Sequence, residues 1–522
     1  MTARTLMVQG TSSSVGKSLL VAALCRIFAR RGVRVAPFKS QNMSNNAAVC
    51  SDGAEIGRSQ ALQAAAARVE PTADMNPVLL KPEADVRSQV VVQGRPWQTL
   101  AARDYYTRRD ELWPVVTSAL DRLRSDYELV IIEGAGSPAE LNLREADIVN
   151  MAIARHARAP VLLVGDIERG GVFAQLLGTL SLLPSAERQL VAGLIVNKFR
   201  GDLSLFDSGR AILEERSGLP VLGIVPWLFD LRLPEEDGEP LFQRRSRAAA
   251  ANELDIAVVR LPRIANFDDF DPLAAEPGVC LRYVDDPAAL GHPHAVILPG
   301  TKSTVADLDW LRRSGLAAEI QRLADERVSI VGICGGYQML GTQILDPNTV
   351  ESSAGATPGL GLLPVETVFE HSKETHQVSA VIDDDRHCPG CHSDVLSGYE
   401  IHMGRTSGGR PWLKFAEQSG RAVATPDGAV SDDGQIWGCY LHGLFGNARF
   451  QAAWLDSLAR RAGLPRCRDQ MNQSITGRTS TAPHHLNAAL DQLADNVEAA
   501  LDARRLEEIV WAGKERESCL PT

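Results

Sequence analysis

The feature that most constrains this chain lies near its start, in the run Thr5-Leu-Met-Val-Gln-Gly-Thr-Ser-Ser-Ser-Val-Gly-Lys-Ser18. The apolar residues from Leu6 to Val8 predict a short buried strand, and the run from Leu19 to Ala29 predicts a helix. Between them lies a turn rich in glycine and serine. A strand, a loop that ends in Gly-Lys-Ser and a helix form the arrangement that wraps a polyphosphate, so we expect a nucleotide site here.

Each part of this loop has a predicted task. Successive backbone N–H groups and the helix N-terminus face the anion, Lys17 reaches the outer phosphates, and Ser18 is a candidate Mg²⁺ ligand. Five residues separate Gly10 from Gly16, so Thr11 stands where the strict GxxxxGK[ST] pattern has its first glycine. A flexible loop that happens to contain Gly-Lys-Ser is the plainer alternative. The predicted phosphate-binding residues are Gly10, Thr11, Ser14, Val15, Gly16, Lys17 and Ser18.

Three later apolar runs end in polar residues, as strands at the ligand-binding edge of a sheet do. The run from Leu129 ends in Glu133, which we predict to reach Mg²⁺, although a lone glutamate there is often only a helix cap. The run from Pro160 ends in Asp166. The run from Val191 ends in Asn197, which suits a nucleotide base edge, although turns use asparagine as readily. Strands alternating with helices over residues 5–225 predict a doubly wound parallel sheet.

A polar stretch follows the second predicted strand, Val33 to Pro37. Amide and hydroxyl side chains at the carboxyl end of a strand suit a polar ligand, whereas composition alone also allows a solvated loop. A second lysine stands in the run Met75–Pro82. Residues 97–125 have helical spacing and predict a helix. The predicted substrate-binding residues are Lys39, Gln41, Asn42, Asn45 and Lys81.

The composition changes near the middle of the chain. Residues 232–253 are polar, contain proline and have no periodicity, so we interpret them as a linker. An apolar run beginning at Asp255 opens a second α/β domain. The predicted organisation is a phosphate-loop domain at 1–231, the linker, a second domain at 254–447 and a partly helical C-terminal extension at 448–522. We therefore predict two doubly wound α/β domains with mostly parallel sheets.

The second domain contains a candidate nucleophile at Cys334. The strand before it ends in Gly332-Ile-Cys-Gly-Gly336, and small residues beside a nucleophile allow a sharp strand-to-helix turn. The N–H groups that follow, beginning with Gly335, and the glycine turn at Gly300 are candidate oxyanion donors. His442, at the end of another strand, is the candidate base. A lone buried cysteine or histidine is usually structural, but the two contexts together favour a catalytic pair.

A second cysteine cluster, His387-Cys-Pro-Gly-Cys-His392, resembles a metal knuckle. No second CxxC or HxxxH motif stands at ligand spacing, so a turn that contains thiols is the better interpretation.

The bulk composition excludes other classes of protein. The net charge of −11, without a basic stripe, argues against nucleic-acid binding. The sequence has no run of about 18 apolar residues, so it predicts no membrane span. The 9 cysteines are scattered along a long chain with a nucleotide site, so they read as reduced thiols, and we expect a cytoplasmic location.

A phosphate-loop domain joined to a Cys–His domain resembles the glutamine-dependent amidotransferases. The turn at 332–336 resembles the nucleophile turn of class I glutaminases, and Leu441-His-Gly443 resembles their histidine motif. The N-terminal half is similar to dethiobiotin synthetase-like ATP enzymes. Four stretches together match the cobyric acid synthase family over about residues 5–445: Pro37–Asn46, Met75–Pro82, Gly165–Phe173 and Asn197–Asp202.

This resemblance implies an enzyme of cobalamin biosynthesis that amidates the b, d, e and g carboxylates of adenosylcobyrinic acid a,c-diamide. ATP and Mg²⁺ would activate each carboxylate as an acyl phosphate, and ammonia from the Cys334–His442 site would reach it by a sheltered path. The implied partners are small molecules: a corrinoid, glutamine and ATP. The alternatives are the sibling synthase that amidates the a and c positions, and a noncatalytic regulator that responds to ATP or glutamine.

The resemblance leaves the third member of the glutaminase triad open. Class I glutaminases commonly have a glutamate two residues after the histidine, and this chain has Leu444 there. Either a Cys–His dyad suffices, or a carboxylate elsewhere, such as Glu400, supports His442.

Overall fold

The computed structural model describes residues 2–84, 87–228, 233, 247–465 and 482–511. Over these residues the chain forms two compact units. Unit 1 comprises the described residues within Met1–Met43, Ile56–Pro234 and Pro483–Thr522, and unit 2 comprises those within Ser44–Glu55 and Glu235–Ala482. The units differ from the predicted domains in three segments: residues 44–55 and the helix Ala448–Ala462 group with unit 2, and the last two helices group with unit 1. Most of the predicted linker, residues 234–246, lies outside the described residues.

Unit 1 is built on a six-stranded parallel sheet. Successive residues of its strand Arg4–Gly10 point to opposite faces of the sheet. Leu6 is buried in one hydrophobic cluster and Met7 in another, so both faces are covered. All the carboxyl ends lie along one edge, which brings the candidate nucleotide residues together. In spatial order the strands are Val221–Pro226, Val191–Phe199, Val161–Asp166, Arg4–Gly10, Leu129–Glu133 and Val35–Phe38.

Smaller sheets and helices complete this part of the chain. A four-stranded sheet contains Gln41–Met43, Val78–Ala84, Arg87–Val92 and Arg95–Ala101. The two-stranded sheet of Ala47–Val49 and Glu55–Gly57 lies mostly within residues 44–55, which group with unit 2. The α-helices are Lys17–Arg30, Arg58–Ala67, Ala102–Tyr106, Arg109–Asp126, Met151–Ala157, Val172–Leu182, Ser185–Arg188 and Asp207–Ser217. Short 3₁₀ helices cover Ala73–Met75, Leu141–Ala146 and Leu203–Phe206.

The helix predicted over residues 97–125 begins later than expected. Residues 95–101 form an edge strand that pairs antiparallel with Arg87–Val92, and helices follow from Ala102. The prediction was wrong for residues 97–101, because pairing with a neighbouring strand outweighs local helical spacing.

The C-terminal helices, Ala482–Ala500 and Ala503–Trp511, pack on unit 1. Leu490, Leu493 and Val497 enter the same hydrophobic cluster as the first helix of the chain. The buried guanidinium of Arg26 pairs with Asp491 at 2.8 Å. These two helices therefore complete the core of unit 1.

Unit 2 has its own central sheet, in which five parallel strands are joined by one short antiparallel strand. In spatial order these are Val279–Val284, Leu254–Val259, Ala295–Leu298, Ser329–Ile333, Ile436–Cys439 and Ala429–Val430. The α-helices are Asp271–Ala275, Pro287–Leu290, Thr304–Arg313, Leu316–Asp325, Gly335–Leu340 and Ala448–Ala462, and 3₁₀ helices cover Phe267–Phe270 and Leu444–Gly446.

A second, largely antiparallel sheet adds to unit 2, and the sequence reading did not identify it. Its strands are Gln343–Leu345, Ala356–Pro358, Val365–Ile382, Val395–Gly408, Leu413–Gln418 and Arg421–Asp427. The long pair Val365–Ile382 and Val395–Gly408 forms its centre. The mostly parallel α/β class predicted for the chain is confirmed. None of the helices in the described part of the chain has the length and apolar character needed to cross a membrane.

Candidate functional sites

The phosphate loop of unit 1 has the backbone geometry of an anion cradle. Gly16 has φ +95° and precedes the helix Lys17–Arg30, so the helix N-terminus opens onto the loop. A Cβ at Gly16 would lie 2.3 Å from Nδ2 of Asn197, so only glycine fits there. Ser14 is also left-handed, with φ 59°. Left-handed turns of this kind are typical of loops whose successive N–H groups face one anion, and the phosphate-binding role of these residues stays a prediction.

The side chains of the loop lie beside a buried carboxylate. Ser18 Oγ donates to Glu133 Oε1 at 2.8 Å, which joins the two predicted metal ligands. Lys17 Nζ donates to the carbonyls of Ser12 at 2.9 Å and Gly136 at 3.2 Å. Glu133 is 1% exposed. A hydroxyl and a carboxylate at the head of a phosphate loop are the oxygen donors that Mg²⁺ prefers, so the residues present fit this ion.

Two further residues complete the surroundings of Glu133. Lys39 Nζ lies 2.9 Å from Glu133 Oε1, so this predicted substrate-binding residue pairs with the predicted metal carboxylate. Gln63 Nε2 donates to Glu133 Oε2 at 2.5 Å, and sequence reasoning missed it. Gln63 lies on the alanine-rich helix Arg58–Ala67, where a buried glutamine among alanines was the available signal.

Asn197 contacts the phosphate loop from a neighbouring strand. Its Nδ2 donates to the carbonyl of Val15 at 2.8 Å, and the next residue, Lys198, donates to the carbonyl of Ser14 at 2.6 Å. Lys198 also pairs with Asp166 at 2.9 Å. These contacts hold the loop in shape, and the interaction of Asn197 with a nucleotide base stays a prediction.

The predicted substrate-binding residues belong to both units. Lys39, Gln41, Asn42 and Lys81 are in unit 1, whereas Asn45 is in unit 2. Gln41 accepts a hydrogen bond from Tyr105, and Asn42 donates to Gln60 at 3.0 Å. Oδ1 of Asn45 is buried and has no hydrogen-bond partner within the described residues. A buried acceptor of this kind calls for a donor from a ligand or water.

Cys334 in unit 2 lies on a sharp turn between the strand Ser329–Ile333 and the helix Gly335–Leu340. Its φ of 53° and ψ of −111° are unusual for a residue with a side chain. A Cβ at Gly336 would lie 2.0 Å from the carbonyl oxygen of Leu298, so the turn closes only over glycine. The geometry is that of a nucleophile elbow.

His442 lies beside this cysteine and is held by a buried carboxylate. The thiol of Cys334 contributes to raising the pKa of His442, which places the two side chains next to each other. Nδ1 of His442 lies 2.6 Å from Oδ2 of Asp269, and Oδ1 of Asp269 accepts the N–H of Gly443 at 2.8 Å. The ring of Tyr399 stacks on the imidazole at 5.1 Å. Cys334, His442 and Asp269 therefore form a triad in which the aspartate orients the base.

The electrostatics of His442 follow from this arrangement. Burial favours the neutral ring, but the negative charge and hydrogen bond of Asp269, together with Cys334, raise the pKa of His442 to about 10. Nδ1 carries a proton toward Asp269, so Nε2 is the atom available for proton exchange with the nucleophile.

Asp269, rather than Glu400, is the carboxylate against His442. Glu400 lies 3.2 Å from His402 and accepts a hydrogen bond from Gln418 at 2.5 Å. Asp269 lies in the 3₁₀ helix Phe267–Phe270, after the first strand of the unit 2 central sheet. The acidic run Asp268-Asp269 at that strand's carboxyl end was the available signal.

Both predicted oxyanion residues lie close to the nucleophile. A Cβ built on Gly300 would be 3.1 Å from Cε1 of His442 and 3.8 Å from Cβ of Cys334. A Cβ on Gly335 would be 3.2 Å from the backbone nitrogen of Thr301. The turn after Leu298 and the start of the elbow helix therefore meet beside Cys334, and the oxyanion role of their N–H groups stays a prediction.

The His387–His392 cluster has a packing environment. His387 lies between the rings of Trp412 and Trp437, at 4.4 and 4.7 Å, and burial lowers the pKa of His387 to about 3. Cys388 Sγ faces Nε2 of His387 at 3.6 Å. Within the described ranges, no group of three or more His, Cys, Asp or Glu side chains is arranged to hold a metal ion.

Comparisons with known proteins find one family for each half of the chain. Residues 6–241 match the CobQ/CobB/MinD/ParA nucleotide binding domain family, and residues 255–450 match the CobB/CobQ-like glutamine amidotransferase domain family. The chain is 54% identical to a cobyric acid synthase of Chloroflexus aurantiacus, over 98% of this chain and 100% of that one. It is 52% identical to the corresponding protein of Sorangium cellulosum, over 98% and 99% of the two chains.

Proposed function

This chain belongs to the cobyric acid synthase family of glutamine-dependent amidoligases, and we propose that it converts adenosylcobyrinic acid a,c-diamide to adenosylcobyric acid by amidating the b, d, e and g carboxylates. The observation that carries this proposal is the Cys334–His442–Asp269 triad in a chain that also carries a phosphate loop, Lys17 with Ser18. One site can release ammonia and the other can activate a carboxylate.

At the glutaminase site, Cys334 Sγ attacks the side-chain carbonyl carbon of glutamine. His442 Nε2 takes the thiol proton and passes it to the departing ammonia, which leaves a thioester on Cys334. Water then attacks the thioester, and His442 accepts its proton, so glutamate is released and the thiol is restored. Asp269 holds the imidazole through Nδ1 during both steps. The N–H groups near Gly300 and Gly335 stabilise the oxyanion.

At the ATP site, a substrate carboxylate attacks the γ-phosphorus, and ADP leaves. Ammonia then attacks the acyl carbon and displaces phosphate, which yields the amide. Lys17 and the loop N–H groups bind the phosphate oxygens and stabilise charge on the transferring group. Ser18 and Glu133 would hold Mg²⁺, which supplies charge neutralisation when bound.

Lys39, Gln41, Asn42, Asn45 and Lys81 are the proposed contacts to the corrinoid, whose carboxylate and amide groups suit cations and amides. The buried, unpartnered Oδ1 of Asn45 supports this role, because an amide N–H of a corrinoid side chain would satisfy it.

Two alternatives give different experimental outcomes. A sibling enzyme that amidates the a and c positions would share both sites, but the relatives at 54% and 52% identity carry the cobyric acid synthase name. A regulator without catalytic activity would have no use for a complete triad.

The test is an amidation assay followed by mass spectrometry. Purified protein is incubated with adenosylated cobyrinic acid a,c-diamide, ATP-Mg²⁺ and glutamine. Each replacement of OH by NH₂ lowers the mass by about 1 Da, so four successive losses are expected. Two losses on cobyrinic acid and none on its diamide would assign the chain to the sibling activity. No amidation of either substrate would contradict the proposal.

A further inference from the structure

Residues 44–55 precede the linker by almost two hundred positions, yet they pack as part of unit 2. We call residues 44–55 the inserted segment. Glu55, 1% exposed, pairs with Lys373 of the antiparallel sheet, whose side chain is 9% exposed. The side chain of Gln377 donates to the carbonyl of Val49. A buried ion pair and a hydrogen bond thus anchor this segment to unit 2.

The inserted segment also holds the loop that carries the triad aspartate. The N–H of Ala47 donates to Oδ1 of Asn266 at 3.1 Å. The N–H of Phe267 donates to Oδ1 of Asn46 at 3.4 Å. Asp269 follows at once, and its N–H donates to the carbonyl of Asn266 at 3.1 Å. Residues 46–47 are therefore hydrogen-bonded to the loop that carries Asp269, the residue that contacts His442.

Asn266 reaches the catalytic histidine directly. Its Nδ2 lies 3.4 Å from Nε2 of His442, and the residue is 3% exposed. Because the N–H of Ala47 requires an acceptor, it fixes Oδ1 on the side of the inserted segment and turns the amide N–H₂ toward His442. Asn266 also has φ 52°, a conformation that asparagine tolerates better than most residues.

We propose that Asn266 is a positioning residue of the glutaminase, and that the inserted segment sets its orientation, so that its amide donates to the Nε2 lone pair of His442 and favours the neutral imidazole, which is the form that acts as the base. This inference rests on the proposed glutaminase function. It also implies that the glutaminase site is incomplete without residues from before the linker.

The chemistry of His442 gives a reason for such a donor. Asp269 favours the protonated ring and raises the pKa of His442 to about 10, whereas a general base works best when its pKa lies near the working pH. A donor aimed at Nε2 stabilises the neutral ring, which accepts it, and destabilises the cation, which does not. Without the N–H of Ala47 the amide could rotate and accept a hydrogen bond from the protonated ring.

The first test replaces the donor while it keeps the backbone. Asn266→Asp preserves an acceptor for Ala47 and tolerates the positive φ, but it presents a carboxylate oxygen to Nε2. Asn266→Gly removes the side chain and also tolerates that φ. Glutamine hydrolysis is followed as glutamate release by the full chain, across pH. Among the described residues, the charged or titratable groups recorded against His442 are Asp269, Cys334 and Tyr399.

For Asn266→Asp we expect the acidic limb of the kcat/KM profile, which reports loss of the His442 proton, to move up by about 1 pH unit or more. We expect kcat near neutral pH to fall about tenfold or more, while KM for glutamine changes less than about twofold. Asn266→Gly shifts the limb in the same direction. A limb that stays where it is in both variants would overturn the proposal, because a merely structural defect lowers activity without moving the limb.

The second test removes a hydrogen bond between the inserted segment and the loop that carries Asp269, and it leaves Asn266 unchanged. Asn46→Ala removes the acceptor for Phe267 N–H, and Asn46→Asp keeps it. We expect Asn46→Ala to raise the acidic limb and Asn46→Asp to restore it. Gln343→Leu is the matched control, because it also removes a side-chain hydrogen bond, to Glu366, in the antiparallel sheet of unit 2 that the inserted segment contacts. Equal profiles for Asn46→Ala and the control would remove the inserted segment from the proposal.

Glutamine hydrolysis needs no corrinoid, so the two proposals can fail separately. If the variants shift the glutaminase limb and the wild-type chain amidates no corrinoid, only the proposed substrate is wrong. If the wild-type chain hydrolyses no glutamine under any condition, both proposals fall.

Discussion

Three side chains account for the chemistry expected of unit 2, and a different backbone element positions each of them. Cys334 is presented by a backbone turn, His442 by the end of a strand, and Asp269 by a 3₁₀ helix. His442 is buried between the carboxylate and the ring of Tyr399. A base held on two sides loses little entropy when it moves a proton, which favours catalysis.

The role of Asp269 can be measured with Asp269→Asn. The variant keeps the size of the side chain but removes the charge, and one of its two contacts becomes unfavourable, because Gly443 N–H and His442 Nδ1–H both require acceptors. We expect kcat for glutamine hydrolysis to fall by about 10²–10⁴-fold. Amidation with ammonium in place of glutamine should persist. Asp309→Asn, at an exposed ion pair, is the control, and an unchanged kcat for Asp269→Asn would exclude the triad.

Glu133 has the complementary effect on the other half-reaction. Glu133→Gln can still accept from Ser18, but it removes the charge proposed to bind Mg²⁺, which is also the carboxylate charge that Lys39 pairs with. We expect ATP-dependent amidation to fall by about 10²-fold or more with glutamine or ammonium. Glutamine hydrolysis without ATP should be retained. Glu128→Gln, at the exposed start of the same strand, should behave as wild type, and full amidation by Glu133→Gln would disprove the assignment.

At the scale of elements, the antiparallel sheet of unit 2 contacts the nucleophile Cys334 through one of its strands. Ile401 of the strand Val395–Gly408 offers its carbonyl to Cys334 Sγ at 3.6 Å. On the same strand, His402 stacks on Tyr440 at 3.7 Å, and Tyr440 N–H donates to Asp427 at 3.0 Å. A polar network therefore lies inside a largely apolar layer, which makes its protonation state matter for stability.

Asp427→Asn tests this network. Burial raises the pKa of Asp427 to about 7, against the hydrogen bond from Tyr440 and the charge of His402, which lower it. The folded state therefore holds a proton that the unfolded state releases near pH 4, so ionisation destabilises the fold progressively from about pH 4 to 7. Asparagine keeps an acceptor and cannot ionise. We expect the free energy of unfolding of the variant to exceed that of wild type at pH 8 by up to about 4 kcal/mol, with a higher melting temperature, and the difference to shrink toward pH 4.

Thermal unfolding of both proteins between pH 4 and 8 provides the measurement. Asp432→Asn, whose side chain is 98% exposed, is the control and should show no such trend. A melting difference that is constant with pH would show that Asp427 does not change its protonation on unfolding.

At the scale of the whole molecule, segments far apart in sequence complete each unit. The C-terminal helices enter the core of unit 1 beside the first helix, which starts at the phosphate loop. The N–H of Asp502 donates to the carbonyl of Leu222, so the last helical pair also meets an edge strand of the sheet. These C-terminal helices contribute to the rigidity of unit 1 through close packing of apolar side chains.

Asp491→Ala tests how much the extension stabilises the molecule. Arg26 is 2% exposed at its side chain, and loss of Asp491 leaves its guanidinium with only part of its partners. Because Asp491 itself is 42% exposed, we expect a loss of about 1–3 kcal/mol, less than for a fully buried pair. The first melting transition should fall by several degrees. Glu508→Ala, at an exposed pair, should leave it unchanged, and an unchanged transition in Asp491→Ala would assign the extension no such role.

The sequence by itself determined the parts of this protein that depend on local order. Strand, glycine turn and helix follow one another within about twenty residues at the phosphate loop and at the Cys334 elbow, so local spacing predicted both. The α/β class followed from the alternation of apolar strands and helices, and it is confirmed. The family followed from four motifs taken together, and it is confirmed as well.

Only the tertiary structure decided which distant residues meet. Asp269 and His442 are 173 residues apart, and Ala47 and Asn266 are 219 apart, so no spacing rule could join them. Glu400 was a reasonable carboxylate by sequence, yet its strand directs it to His402. The edge strand at 95–101 and the docking of the C-terminal helices were likewise settled by partners elsewhere in the chain. Long-range packing selects among the options that local patterns leave open, because burial and hydrogen bonding are satisfied only in the assembled fold.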